Sequence, residues 1–359
     1  MTTALAPETA GDTKIKETRG GGFARYVLTR FLLIFPTIFV LVTTVFFLMR
    51  STGDPITAAL GGRLGQAELE RRVAEAGYDR PLIVQYLEYL GGVIRGDFGT
   101  TFTDGTPVTA VLKEYGAATA ELVFFGLVVA LLIGIPLGMV AAYYRDRWQD
   151  GILRILAILG YATPVFFVGL LLKLVFSVQL GWLPIAGRVS TSGEATLASI
   201  TNRTPFYLLD ALRLGRPELI KDVVSHAVLP AIALGLLLGG VFLRLVRTNL
   251  IGTLERQYIE SGRSRGVPET RLVTRHALRP ALIPVVTVMG MQIAMSLAGA
   301  VLTETTFEWK GLGFVLVHYM QARDYVAVQG IVMLMAVIVA ITNFIVDIIA
   351  ALIDPRVRY

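Results

Sequence analysis

Three arginines, Arg271, Arg275 and Arg279, recur every fourth residue between Pro268 and Pro280. On a helix this spacing sets three guanidinium groups on one face, with Leu272, Val273 and Ala277 as a neighbouring apolar patch. Just before them come Glu260, Ser261 and Gly262, then Gly266 and Pro268. Gly266 can end one helix and Pro268 can start the next. The chemistry on offer is docking: ion pairs and packing into a groove on a soluble partner. The plainer alternative is a basic loop that only fixes topology, with Glu260 paired to Arg256 or Arg263 along its own helix.

Catalysis has little to work with. There is no Gly-x-x-x-x-Gly-Lys-Ser/Thr run, so the chain cannot cradle ATP phosphates. Cysteine is absent and there are only three histidines, which excludes thiol chemistry and leaves little for a metal centre. His226 and His276 fall at opposite membrane faces in the topology argued below. No Ser/His/Asp set or carboxylate pair is suggested, and no cofactor is expected in this chain.

The remaining candidates are polar groups inside apolar stretches. Gln292 and Ser296 stand at i, i+4 among Gly290, Ala294, Ala298 and Gly299. Small residues permit close helix packing, so the pair either lines a polar path or bonds one helix to another. Asn343 and Asp347 repeat the spacing. Asn343 is a candidate path residue, whereas Asp347 falls towards the inner interface, solvated or paired with a loop arginine. Thr119 and Glu121 open a second span, Thr163-Pro164 would kink a third, and Lys173 would snorkel outwards.

The elements that must carry these residues are membrane helices. Mean hydropathy is +0.64, and charged residues make up only 17%, against about 25% in soluble domains. Six uncharged runs are long enough to cross about 30 Å of hydrocarbon: 31–49, 122–144, 155–172, 223–243, 281–303 and 325–346. They are continuous rather than alternating, which excludes a β-barrel. The formal net charge of +6 is read as topology rather than nucleic-acid binding. Arg25, Arg30, Arg145, Arg147 and Arg154 flank inner ends, and Arg244 to Arg279 holds eight arginines and three glutamates. Both termini are therefore expected in the cytoplasm. The three tryptophans, 148, 182 and 309, are expected in an aromatic belt. Residues 51–117 are too long for a connector. Gln66–Tyr78 and Pro81–Val93 read as helices before a Gly96–Gly99 turn, giving a small outer subdomain. A further short helix is expected near Tyr207–Leu214.

The inner loop resembles the EAA-type coupling motif of bacterial ABC importer permeases: Glu260-Ser261-Gly262, three residues, then Gly266, with Ser and Gly where Ala is usual. More specifically, the chain resembles the first (B-type) permease of the dipeptide/oligopeptide/nickel importers from Phe23 to Tyr359. The resemblance rests on Gly53-Asp54-Pro55, Asp79-Arg80-Pro81 with Gln85-Tyr86, Gly96-Asp97-Phe98-Gly99, Leu183-Pro184 with Gly187, and His226 to Pro230. It continues through Glu304, Phe307, Gly311-Leu312-Gly313, Arg323-Asp324 and Asp354-Pro355-Arg356. A long N-terminal tail and an insertion near 188–216 depart from the family.

The resemblance implies an all-α integral membrane permease with six transmembrane helices, in the bacterial cytoplasmic membrane. Its expected divisions are a disordered tail (1–22), a first span (23–50), the outer subdomain (51–117) and a permease core (118–353). The core includes an outer excursion (181–222) and a coupling loop (247–280), and a cytoplasmic end follows (354–359). The implied work is ATP-driven import of di- or oligopeptides without catalysis in this chain. The implied partners are a homologous second permease, two ATPase subunits that hold ATP and Mg, an extracytoplasmic binding protein and lipid, with no nucleic acid. Glu260, Ser261, Gly262, Gly266, Pro268, Arg271 and Arg275 would couple to the ATPases. Nickel or another small solute is the alternative cargo. An ion-coupled secondary transporter is the alternative class, but it would need midplane ionisable groups and internal repeats that the sequence lacks.

Overall fold

The computed structural model describes residues 21–51, 53–62 and 64–353. The expectations for residues 1–20 and for the Asp354-Pro355-Arg356 end lie outside the described residues. Gly21 and Gly22, placed above in the tail, open the first helix.

Among the described residues the chain is helical, with one isolated bridge between Thr100 and Pro107. The first helix, α1, is Gly21–Arg50. The segment expected to form an outer subdomain contributes α2 (Pro55–Leu60), α3 (Gln66–Glu75) and α4 (Leu82–Arg95). Asp54 caps α2 by accepting from the Thr57 N–H, and α4 ends at left-handed Gly96. The helix α5 (Val108–Tyr143) runs unbroken across the expected 117/118 boundary. Next come α6 (Trp148–Ala162) and α7 (Val165–Leu172), which continues as a π turn to Gln179. The outer excursion holds α8 (Thr191–Ala198) and α9 (Tyr207–Leu214). It ends earlier than expected, because α10 (Pro217–Leu254) has Pro217 in its first turn. The inner loop is α11 (Gln257–Ser264) and α12 (Glu269–Ala281). The last three helices are α13 (Ile283–Phe307), α14 (Leu312–Gln321) and α15 (Tyr325–Ile353).

Four helices, α1, α5, α10 and α15, are long and apolar enough to cross a membrane, and six spans result if two bent pairs each count as one. The expected third span is one of the pairs. It is not straight: α6 and α7 meet at 104° at Thr163-Pro164, where proline removes a helix donor and excludes the preceding residue from helical geometry. The other pair, α12 and the first part of α13, bends by 53°.

The core is the α5–α10 pair. A Cβ at Gly134 would lie 2.7 Å from the Phe242 Cβ, and one at Gly235 2.7 Å from Val129, so the two backbones meet where side chains are missing. Around them lie Leu122, Ala130, Leu234, Leu238 and Phe242. Helices α13 and α15 approach at Gly290, against Val346.

Several residues that carried the family resemblance hold outer elements together. Buried Glu304 accepts from Thr119 (2.6 Å) and from the Phe314 N–H (3.0 Å), so its carboxylate caps α14. Buried Asp324 caps α15 and accepts from Thr103. Glu121 pairs with buried Arg188, whose guanidinium lies 3.7 Å from the Tyr207 ring centroid, and this nails the excursion to α5. Trp309 departs from the aromatic-belt expectation: it is fully buried and donates to the Ala118 carbonyl at 2.8 Å. Trp148 and Trp182 are exposed. Lys173 donates to the Thr306 carbonyl at 2.8 Å, near the last turn of α13.

Candidate functional site

The loop between α10 and α13, expected on the inner side, folds as two helices across one tight turn. Gly266 is left-handed, with φ +78°. Its N–H donates to the Arg263 carbonyl (3.0 Å) and that of Val267 to Gly262 (3.1 Å). These are the two bonds of a Schellman motif, which satisfies carbonyls that α11 would otherwise leave bare. A Cβ at Gly266 would meet nothing within 4 Å, so glycine is needed there for its conformation and not for space. Pro268 then precedes α12 as its cap. Gly262 is small for a different reason: its Cβ would lie 2.9 Å from the Leu272 side chain, where α11 crosses α12.

Arg263 clamps the turn by a bidentate pair with Glu269, at 3.0 and 2.8 Å. In the plainer alternative Glu260 would pair with Arg256 or Arg263; Arg263 instead pairs with Glu269. The Arg263 guanidinium also holds the Glu269 carboxyl below the usual glutamate value. Glu260 itself is exposed, as are Ser261, Arg271 and Arg275.

The apolar patch of α12 faces its own chain. Leu272, Val273 and Ala277 are buried with Ala142, Leu250 and Ile259, so they are the loop's root and not a surface for a partner. A π turn over Leu272–Ala277, with Leu278 N–H bonded to the Val273 carbonyl, adjusts that face. The solvent side is Tyr258, Glu260, Ser261, Ser264 and Arg265. Tyr258, half exposed, was not singled out from the sequence. The signal available was a lone aromatic at the start of a polar helix, the kind of side chain that anchors interfaces.

The candidate path residues part company. Gln292 lines a cavity of about 560 Å³ between α6, α10 and α13. Beside it are Tyr161, Arg154, Arg244 and Arg247. Arg247 is tied to Asp150, leaving the arginine-lined end of this cavity net positive. Ser296, one turn on, is fully buried and donates to the Ile293 carbonyl at 2.7 Å. Asn343 is exposed on α15. Asp347, one turn further, pairs with Arg30 of α1 at 3.3 Å instead of with a loop arginine. Among the described residues no group of histidine, cysteine and acidic side chains has the arrangement of a metal site.

Residues 134–359 match the family model described as the binding-protein-dependent transport system inner membrane component. The probable D,D-dipeptide transport system permease protein DdpB of Escherichia coli K12 is 39% identical over 85% of this chain and 88% of its own length. The dipeptide transport system permease protein DppB of Haemophilus influenzae is 38% identical, covering 93% of this chain and 99% of its own. The glutathione transport system permease protein GsiC of Salmonella choleraesuis is 33% identical with the same coverage.

Proposed function

The chain belongs to the family of binding-protein-dependent transport system inner membrane components, and from that premise we propose how its parts divide the work of import. It is an inner-membrane permease subunit of an ABC importer, of the B type that serves di- and oligopeptide systems. It carries no chemistry of its own. ATP and Mg are held by two separate ATPase subunits, a homologous second permease completes the translocation path, and an extracytoplasmic binding protein delivers the peptide. The chain crosses the membrane six times with both termini inside. Support for this topology comes from counting each bent pair as one span and from the arginines expected at the inner ends.

The observation that carries the coupling role is the two-sidedness of the α11–α12 turn. One side is rooted in the chain's own core through Ile259, Leu272 and Val273. The other presents Tyr258, Glu260, Ser261 and Ser264, with Arg271 and Arg275 on α12. Gly262, Gly266 and Pro268 set the angle between the helices. A rigid, rooted turn transmits displacement, which a floppy loop would absorb. ATPase closure would pull on this turn and tilt α10 and α13, opening and closing the path.

Gln292 lies on the path and Ser296 supports the helix behind it. Asn343 is on a surface covered by protein, since a lone amide in hydrocarbon is costly. The test is co-purification with the ATPase subunits. Glu260→Lys and Tyr258→Ala should each leave the permease inserted but lose most stimulated ATPase activity. Full uptake in both variants would end the coupling reading.

A further inference from the structure

Helix α4 is not one of the spans, yet it carries an apolar stripe that nothing covers among the described residues. Ile83, Leu87, Leu90 and Ile94 recur at i, i+4, i+7 and i+11, which gathers them within about 60° of one face. Ile83 is 63% exposed, Leu87 61% and Ile94 85%. Single exposed leucines are ordinary, but a continuous stripe on an amphipathic helix marks an interaction surface. Nothing in the import cycle argued above uses it.

The other two faces of α4 decide what covers the stripe. One face is rooted in the protein. The Gln85 amide nitrogen donates to the carbonyls of Tyr78 and Arg80, at 3.0 and 2.8 Å, which pins the start of the helix. The Tyr86 hydroxyl lies 2.6 Å from Thr43 Oγ1 of α1, and its ring packs on Phe46 and Phe47, with centroids 5.2 and 5.5 Å away. The Tyr89 ring stacks on Phe46 at 5.4 Å, and its hydroxyl meets the Met333 sulfur of α15 at 3.8 Å. The other face is charged: Glu88 pairs with Arg80 at 2.6 Å, and Arg95 is exposed in the last turn. At about 100° per residue, the root, the apolar stripe and the charged face point in three directions, each about 120° from the next.

The root also fixes the depth. Phe46 lies about one turn, or 6 Å, from the Arg50 end of α1, and Met333 about 12 Å from the Tyr325 end of α15. These ends share one side of the membrane, because Arg30 near the other end of α1 pairs with Asp347 near the other end of α15. Helix α4 therefore crosses two spans below their ends. Interfacial helices sit at that depth, about 5–10 Å into the boundary of headgroups and acyl chains. With the root on the protein, one remaining face meets hydrocarbon and the other water, and the charges choose water. The stripe also continues a lipid-facing surface. Leu33, Val40 and Phe47 repeat every seventh residue along α1, all exposed, and Phe47 is the ring that abuts Tyr86.

We infer that α4 is an in-plane membrane helix whose apolar stripe is covered by lipid acyl chains. Lipid then holds its tilt against α1 and α15. Only the choice of the outer leaflet rests on the topology proposed above.

The test uses the complete transporter in vesicles of phosphatidylethanolamine and phosphatidylglycerol. This chain has no cysteine, so Leu87→Cys, Glu88→Cys, Ile94→Cys and Arg95→Cys each take a nitroxide, with partner chains freed of their own cysteines. All four positions are exposed, so the label should not disturb folding. Relaxation by oxygen, which concentrates in hydrocarbon, is compared with relaxation by a water-soluble nickel chelate. The oxygen-to-nickel ratio at 87 and 94 should be roughly threefold or more above that at 88 and 95. Adding the binding protein should leave it unchanged. A second measurement needs no label. Leu87→Asp with Ile94→Asp should assemble in detergent yet cut vesicle uptake several-fold, whereas Leu87→Phe with Ile94→Phe should not. Equal ratios at the four positions, shielding of 87 and 94 from both relaxers, a change on adding the binding protein, or undiminished uptake in the aspartate pair would each overturn the inference. An inverted topology would move α4 to the other leaflet and leave these ratios as they are.

Discussion

Arg247 grips Asp150 through two parallel hydrogen bonds, 2.6 and 2.7 Å long, and the carboxylate it holds is fully buried. The pair joins the inner ends of α6 and α10 at the edge of the cavity that Gln292 lines. Asp150 also accepts from the Asp146 N–H, so its lone pairs are well used.

Removing Arg247 leaves the buried carboxylate only the longer ionic contact to Arg154, at 3.7 Å. Arg247→Ala should destabilise the subunit by about 3–5 kcal/mol, whereas replacing both residues, Asp150→Leu with Arg247→Met, should cost much less. Thermal unfolding of the assembled transporter measures both. If the double replacement is as damaging as the single one, the pair has a role beyond satisfying its own charges.

At Gly266 the backbone is left-handed and the space around it is open. The expected order of damage is therefore set by conformation: Gly266→Asn mild, Gly266→Ala about 1–2 kcal/mol, and Gly266→Val worse. Gly266→Asp keeps the tolerance of asparagine but adds charge to the turn, and it should abolish uptake. ATPase association should fall in the same order as turn stability. A graded series that followed side-chain volume alone would contradict the Schellman reading.

Arg263 and Glu269 clamp the same turn, half exposed, so solvent screening keeps the pair's contribution small. Because Arg263 lowers the Glu269 pKa below 4.5, this contribution is complete above the ordinary glutamate value. It is lost as pH falls through the lower folded value. Glu269→Gln should remove that acid limb from the stability profile. Reversing the pair, Arg263→Glu with Glu269→Arg, should restore coupling that Arg263→Glu alone loses, as read by stimulated ATPase activity.

Gln292→Leu should cut transport several-fold while assembly persists. Cysteine at 292 should react with small polar thiol reagents, and the rate should change when the ATPases are trapped with nucleotide. Cysteine at buried 296 should stay slow. Equal reactivity at the two positions in every trapped state would place the path elsewhere.

Topology can be tested separately. A reporter fused at Tyr359 should be active only in the cytoplasm, and cysteine at 260 should be shielded from impermeant reagents outside. Labelling of position 260 from outside would invert the orientation.

Hydropathy and breaker residues were enough to read helical spans, the helix–turn–helix between α10 and α13 and the stop at Gly266. These signals are local: twenty apolar residues have few options in lipid, and a left-handed turn calls for glycine wherever it occurs. Tertiary structure decided what depends on neighbours distant in sequence. It turned Leu272, Val273 and Ala277 inwards, buried Trp309 against Ala118, and gave Glu304 to the end of α14. Gln292 and Ser296 show the limit most clearly. They share a spacing and a polarity, but about 40° of rotation between them leaves one in a cavity and the other in a packed interface. Which side of a helix meets a partner is fixed by the helices around it, and no residue's own type records that.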